Sequence, residues 1–478
     1  MSTPSAPSHA DLHIHDGASD RRSWWILGLI GLAQFMVILD VTVVNVALPS
    51  IGNALSFSAT DLQWVVTVYV LFTGGLMLLG GRATDLLGRR RVFLVGLLVF
   101  TAASLASGLA WSPLALIVAR AAQGFGAALL LPSALAIITT TYSHGQRTVA
   151  LSIWGAIGSA GVAAGVLFGG VVTTLLGWEW IFFINVPIGF VVAAGAVRLL
   201  PADRRLPLAG MKLDLLGAAT VMVGMVTLVY GVVGTAQHGW GSGRTLLLLG
   251  IAGALLAAFI VIERLGHEPL VPPATWRVRS LVSSAVVMLG VTGILVGAFY
   301  LNTLYLQNVL GYSALKTGLS FLPLALVIFA TAHLASHLLP HAGSRVVALG
   351  GLALTAGGAL LLAAAPDQAS YTTNVLPGFL LLGAGVGLVF VAVTVTAMAD
   401  VRHEQAGLAS GIMTTAHELG AALGVAVLAA VAISNGNPVG GYGNGFLVAA
   451  AIAALLAVVA AVALPAFRPA PGTHVSMH

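Results

Sequence analysis

Two ionisable side chains sit at matching depth in apolar runs long enough to cross a membrane. Asp40 lies nine residues before Pro49, which closes the first run, and Arg120 lies seven residues after Pro113, which opens the fourth. At about 1.5 Å per helical residue, both fall roughly 10–14 Å from the same boundary. Ionisable groups inside a bilayer are expensive and face a partner or a watery cavity. An acid and an arginine at equal depth suit one another, and protonating Asp40 would release Arg120. The other reading is a permanent ion pair that fixes helix packing. Coupling is the stronger of the two, because buried pairs stabilise poorly compared with apolar replacements.

A second acid, Glu418, follows His417 twelve residues into the thirteenth apolar run, near its middle. Such a carboxylate could bind a cationic substrate or a second proton. It could equally be a protonated, silent group hydrogen-bonded within the bundle. Gln34, Gln63, Trp64, Gln123, Asn302, Tyr305 and Gln307 are further polar or amphipathic groups in apolar runs. Some are expected to line a pathway, while others satisfy one another between helices. Gly158, Gly161, Gly165, Gly169 and Gly170 place small residues on the fifth run, where they permit close helix approach and sliding.

These groups need a scaffold, and composition says which kind. The chain has 478 residues, 58% of them hydrophobic and 7% charged, against roughly 25% charged in soluble domains. Its solvent must therefore be lipid, so the net charge of +5 is read by position and not as a nucleic-acid signature. Absence of cysteine excludes disulfides and thiol chemistry. The polar N-terminus carries His9, His13 and His15; a disordered tail is favoured there over a metal site.

Turns and charges punctuate fourteen predicted spans: 24–46, 61–81, 92–110, 113–139, 149–176, 180–200, 213–235, 245–263, 281–308, 316–339, 345–364, 372–398, 406–433 and 443–465. An even count puts both termini on one face. If that face is cytoplasmic, Arg244 and Lys316 lie outside and Arg120 within a span, while the other seventeen basic residues lie inside. This is the positive-inside pattern, and it implies a multi-pass protein of the inner (plasma) membrane with both termini cytoplasmic.

The loop after the second span reads GRATDLLGRR (Gly81 to Arg90). Shifted by 255 residues, the loop after the tenth reads SHLLPHAGSR, with Gly88 and Arg90 over Gly343 and Arg345. Six-span halves related in this way are a plan of secondary transporters, with the substrate site between the halves. The predicted organisation is a cytoplasmic tail (1–22), an N-terminal half (23–202) and a linker with two extra helices (203–270). A C-terminal half (271–466) and a second tail (467–478) follow. Gly81, Asp85, Gly88, Arg89 and Arg90 form a candidate gating loop, with Asp85 beside a helix N-terminus as the clasp; a solvated loop that only sets topology is the alternative. Pro340 replaces the acid in the second copy, and His333, His337 and His341 follow one helical face there. Interfacial cations are favoured for them over a metal or proton site.

The motifs together are more specific. LDVTVVNVALP (Leu39 to Pro49), GRATDLLGRRR (Gly81 to Arg91), RAAQGFGAA (Arg120 to Ala128) and WIFFINVPIG (Trp180 to Gly189) resemble the drug:proton antiporters of the major facilitator superfamily, in the fourteen-spanner branch. ALKTGLSFLPLAL and AGLASGIMTTAHELGAALGVA resemble it too. The resemblance implies an all-α major facilitator fold, a gating role for the Gly81–Arg90 loop, and proton-driven export of drugs or antibiotics. Val166 stands where that family's antiporter motif has proline, and Glu179 where it has arginine. The implied partners are protons, lipid and a small molecule, with Glu418 tilting toward amphipathic or cationic substrates. No cofactor is implied. Export of an endogenous metabolite is the alternative, and sodium coupling is compatible as well. No HExxH, GxSxG or GxxxxGK[ST] sequence supports an enzyme or ATP-driven pump, and no sizeable soluble domain marks a sensor.

Overall fold

A backbone in hydrocarbon must satisfy its own N–H and C=O groups, so a chain this apolar folds as helices. The computed structural model describes residues 11–142, 144–201, 203, 214–266, 271–366, 370–401, 406–434 and 438–468. His9, Arg204, Arg205, Lys212 and Arg402, which entered the tail and charge arguments, lie outside the described residues. The first half consists of α1 (Asp11–Ala54), α2 (Trp64–Leu87), α3 (Arg89–Gly108), α4 (Pro113–Thr141), α5 (His144–Leu175) and α6 (Asn185–Leu199). The extra pair is α7 (Leu215–His238) and α8 (Gly243–Leu265). The second half consists of α9 (Arg279–Leu304), α10 (Ala314–Ala342), α11 (Ser344–Ala363), α12 (Leu376–Met398), α13 (Ala406–Ser434) and α14 (Pro438–Ala463).

Thirteen of these, some counted with a short adjoining turn, are long and apolar enough to cross a bilayer. The fourteenth, α5, runs for 32 residues and includes the apolar stretch Ala164–Leu175. Helix α1 extends back to Asp11, into the segment expected as a tail. Local signals set several starts. Ser112, Asp214, Ser242 and Ser313 each accept a backbone N–H at a helix N-terminus, satisfying one of the donors left open there.

The packing repeats. In the first half α1 lies on α5, α4 on both α2 and α3, and α6 on α1 and α3; in the second, α9 lies on α13, α12 on both α10 and α11, and α14 on α9 and α11. The halves meet through α2 on α13 and α5 on α10, so second and fifth helices exchange roles across the interface. Helix α7 seats against α2 and α13, and α8 packs on α7. Only 11% of the most apolar window of α8 is buried, which leaves that helix facing lipid.

The α5 glycines divide between two neighbours. Gly158, Gly161, Gly165 and Gly169 face side chains or backbone of α1, whereas Gly170 abuts the backbone of Ala314 and Leu315 on α10. The Val166 carbonyl lies against Gly318, and Gln307 donates to the Val46 carbonyl at 2.8 Å. The two halves are thus joined at the end of the bundle that carries Pro49. A leucine at Gly170 has no room there, and overpacking of this kind costs about 1–3 kcal/mol. Since the chain has no cysteine, a single Val46→Cys reports on this seal cleanly. Its labelling by a soluble thiol reagent is expected to be slow, and to accelerate when Gly170→Leu is added.

Candidate functional site

Asp40 on α1 and Arg120 on α4 meet in the interior of the first half. Arg120 Nη1 lies 2.5 Å from Asp40 Oδ2, with 1% and 0% of the two side chains exposed. Nη1 also donates to Gln123 Oε1 at 2.7 Å, and Nε donates to the Val65 carbonyl at 3.1 Å. The other carboxylate oxygen, Asp40 Oδ1, accepts from Gln123 Nε2 at 2.8 Å and Asn185 Nδ2 at 2.9 Å. Asn185 Nδ2 further donates to Ser104 Oγ at 2.9 Å, and Ser104 donates to the Phe182 carbonyl at 2.9 Å. The guanidinium lies 4.1 Å from the centre of the Tyr69 ring and 5.7 Å from that of Phe182, within cation–π range.

Four helices of one half therefore converge on one carboxylate. Charge-assisted hydrogen bonds are the strong ones, and in this arrangement both carboxylate oxygens are occupied. Removing either charge would strand the other, at a cost of about 3–5 kcal/mol for a buried pair. Gln123, expected among pathway-lining groups, belongs to this network. Asn185 and Ser104 were not anticipated. Asn185 had a signal, since an amide in the apolar run WIFFINVPIG needs a hydrogen-bond partner; a serine in a membrane helix, able to return its hydroxyl to its own backbone, carries none.

Tyr69 connects this network to the half–half interface. Its ring lies under the Arg120 guanidinium, and Gly74, five residues on along α2, abuts Glu418. Glu418 lies where α13 crosses α2, its Cβ against Gly74, and keeps 17% exposure. His417 Nδ1 is 3.4 Å from Glu418 Oε1, and its ring lies 5.9 Å from that of Phe390. No group of three or more metal-ligating side chains assembles among the described residues. His333 and His337 pack edge to face at 5.1 Å, and His341 Nδ1 pairs with the His337 carbonyl.

The remaining polar groups expected along a pathway are mostly sealed between helices. Gln34, in the amide orientation that satisfies it, bridges the carbonyl and indole N–H of Trp154 on α5. Gln63 is buried and donates to the Thr60 carbonyl. Asn302 accepts from the Tyr442 hydroxyl at 2.7 Å, and the Tyr305 ring stacks on Tyr442 at 4.1 Å, all three inside the second half. An apolar environment drives such groups toward one another or toward backbone carbonyls. Half-buried Trp64 packs near Tyr230 of α7, and Gln307, in the turn that follows α9, donates to α1.

At the opposite end, the helix that follows the loop motif is capped by an acid from outside the motif. The carboxylate of Asp203 accepts the backbone N–H groups of Arg90 and Arg91 at 3.1 and 2.9 Å, capping α3. Asp85, the expected clasp, is exposed on the last turn of α2. A helix N-terminus attracts a carboxylate from any segment that reaches it, and the chain after α6 does so. Gly88 is required twice over: its φ is +98°, and Asp203 occupies the space a Cβ would need. Gly81 makes only ordinary contact with Pro132 of α4, and Arg89 is the exposed first residue of α3.

The arginines of this end repeat in both halves. Arg22 and Arg90 donate to the Leu199 and Val197 carbonyls at the end of α6; Arg279 donates to Val462 and Ala463, and Arg345 to Leu464, at the end of α14. Cations favour helix C-termini because unpaired carbonyls and the dipole both receive them. Gly343, at φ +82°, repeats the turn of Gly88.

Comparisons with known proteins agree with this architecture. A bacterial homologue of the human lysosomal transporter Spinster, solved in an inward-facing, unoccupied conformation, has TM-score 0.66 and 18% identity, covering 94% of this chain and 99% of that one. That similarity concerns the fold. In sequence, the chain is 43% identical to the puromycin resistance protein pur8 of Streptomyces alboniger, over 86% of this chain and 82% of that protein. It is 40% identical to the cephamycin export protein CmcT of Amycolatopsis lactamdurans, over 93% of each. Residues 30–425 match the family model described as Major Facilitator Superfamily. With that match and these relatives, the chain belongs to the Major Facilitator Superfamily, a family of membrane transporters and not of enzymes.

Proposed function

We propose that this protein exports antibiotic-like small molecules across the plasma membrane in exchange for protons, with both termini in the cytoplasm. The observation that carries the proton reading is the buried Asp40 carboxylate, held by Arg120, Gln123 and Asn185. Export rests on likeness to relatives named for puromycin resistance and cephamycin export. Orientation rests on the basic residues, with Arg22, Arg90, Arg279 and Arg345 all at one end of the bundle. A relative named for export of an antibiotic also supports a second reading, removal of a metabolite made by the same cell.

In this mechanism, alternating access is a rocking of the two halves about their interface. Protonation of Asp40 removes the charge opposite Arg120 and weakens the attraction between α1 and α4 while the hydrogen bonds of the site persist. Tyr69 stacks on Arg120, and Gly74 on the same helix abuts Glu418, so the change is felt where α2 meets α13. A cationic substrate near Glu418 would favour the opposite charge state of the site, which makes substrate and proton compete. The loop turns at Gly88 and Gly343 and the arginines beside them hold the cytoplasmic ends of each half together as it moves.

Asp40→Asn is expected to abolish efflux driven by a pH gradient in everted vesicles, at unchanged membrane level, because the neutral amide carries no proton. It also strands Arg120, so the purified variant should lose thermal stability. The double variant Asp40→Asn/Arg120→Gln should recover stability and still lack gradient-driven efflux. Recovery of both would reduce the pair to a packing device. For Glu418→Gln, transport of cationic dyes should fall about tenfold, the scale of one lost charge-assisted hydrogen bond, while neutral compounds are spared. Equal export of every cation would remove Glu418 from substrate binding.

A further inference from the structure

Asp40 Oδ1 is the carboxylate oxygen held by two side-chain amides, and the two are not equivalent. Gln123 is locked: its Nε2 donates to Asp40 while its Oε1 accepts from Arg120 at 2.7 Å. Turning that amide over would set its NH₂ against a guanidinium N–H. Asn185 is free to turn. Its Nδ2 donates to Asp40 and Ser104, but its Oδ1 is buried with no hydrogen-bond partner. A buried, unpaired carbonyl oxygen costs free energy in a fully enclosed site, and Asn185 is 0% exposed.

We infer that Asn185 is a positioning residue that holds Asp40 in both of its charge states, donating to the carboxylate and, with its amide turned over, accepting from the carboxylic acid. This rests on the proton-exchange reading above. The incoming proton binds Asp40 Oδ1, and the new O–H donates to Asn185 Oδ1. Ser104, whose hydroxyl hydrogen rotates freely, donates to the same Oδ1 in place of the Phe182 carbonyl. That carbonyl keeps the backbone N–H of Ile184, so it is not stranded. One polar group of Asn185 is unpaired in each state, and Arg120 stays on Oδ2 throughout. When the proton leaves, the amide turns back. No bond other than the Asp40 O–H forms or breaks.

Without Asn185 the protonated carboxyl faces only donors on Oδ1, so the variant should falter where the proton is carried. For Asn185→Leu, pH-driven efflux is expected to fall about tenfold or more, as for a buried carboxylic acid left without its hydrogen-bond acceptor. Substrate exchange without net proton movement should persist, which a folding defect would not allow. Asn185→Ser, which keeps a donor and an acceptor, should restore part of the driven rate. The decisive measurement is the infrared difference spectrum of the purified protein between high and low pH. Expected is a carboxylic acid band, absent in Asp40→Asn, that appears together with a shift in an asparagine side-chain band found by isotopic labelling. In Asn185→Leu the acid band should move to higher frequency. An asparagine band indifferent to pH in the wild type, or an acid band unmoved in Asn185→Leu, would overturn the role of Asn185 alone. No Asp40 band in the wild type would overturn proton exchange at Asp40, and this inference with it.

Discussion

A carboxylate carried into hydrocarbon needs a counter-charge and a full set of hydrogen-bond donors, and four helices of this protein are arranged to supply them. Asp40 draws α1 to Arg120 and Gln123 on α4 and to Asn185 at the first turn of α6, with Ser104 of α3 behind it. Lipid offers no hydrogen bonds to compensate a gap. The interior of the first half is therefore built around one charged pair. The second half has no equivalent pair among its described residues; at its core the Tyr442 hydroxyl donates to Asn302 and the Tyr442 ring stacks on Tyr305. The two halves share a backbone plan while, among the described residues, only the first carries a buried charge network.

Their likeness is clearest where the helices end. In each half an arginine from the first helix and one from the third reach the final carbonyls of the sixth, and a positive-φ glycine makes the turn between the second and third. What differs is the cap of the third helix. Asp203 accepts its first N–H groups in one half, whereas the Phe467 carbonyl accepts the Ser344 N–H in the other. A charged cap is sensitive to charge nearby and a carbonyl cap much less so, so the two ends are unequal despite equal geometry. The extra pair adds a lateral brace, α7 against both α2 and α13, at the seam where Gly74 meets Glu418.

Several features were readable along the chain because they depend on distance along a helix. The spans follow from apolar run length, and the equal depth of Asp40 and Arg120 follows from counting to Pro49 and Pro113. The repeat follows from Gly88 and Arg90 recurring as Gly343 and Arg345. Facing direction was much less readable. Helices such as α9 and α12 are apolar on every side, so no stripe says which side meets a neighbour. For that reason Asn302 and Tyr305 read as pathway groups and prove to be buried within one half. The cap from Asp203 was unreadable for the same kind of reason: it is distant from α3 in sequence and close only in space.

The sequence by itself determined the solvent, the helical class, the span count, the duplication and the charges that had to be buried. Those depend on composition and on rise per residue, which are local. Tertiary structure alone decided which amides complete the Asp40 site, which acid caps α3, and which helices join the halves. Each of these depends on side chains from helices distant in sequence arriving at one point, and helix periodicity carries no information about that meeting.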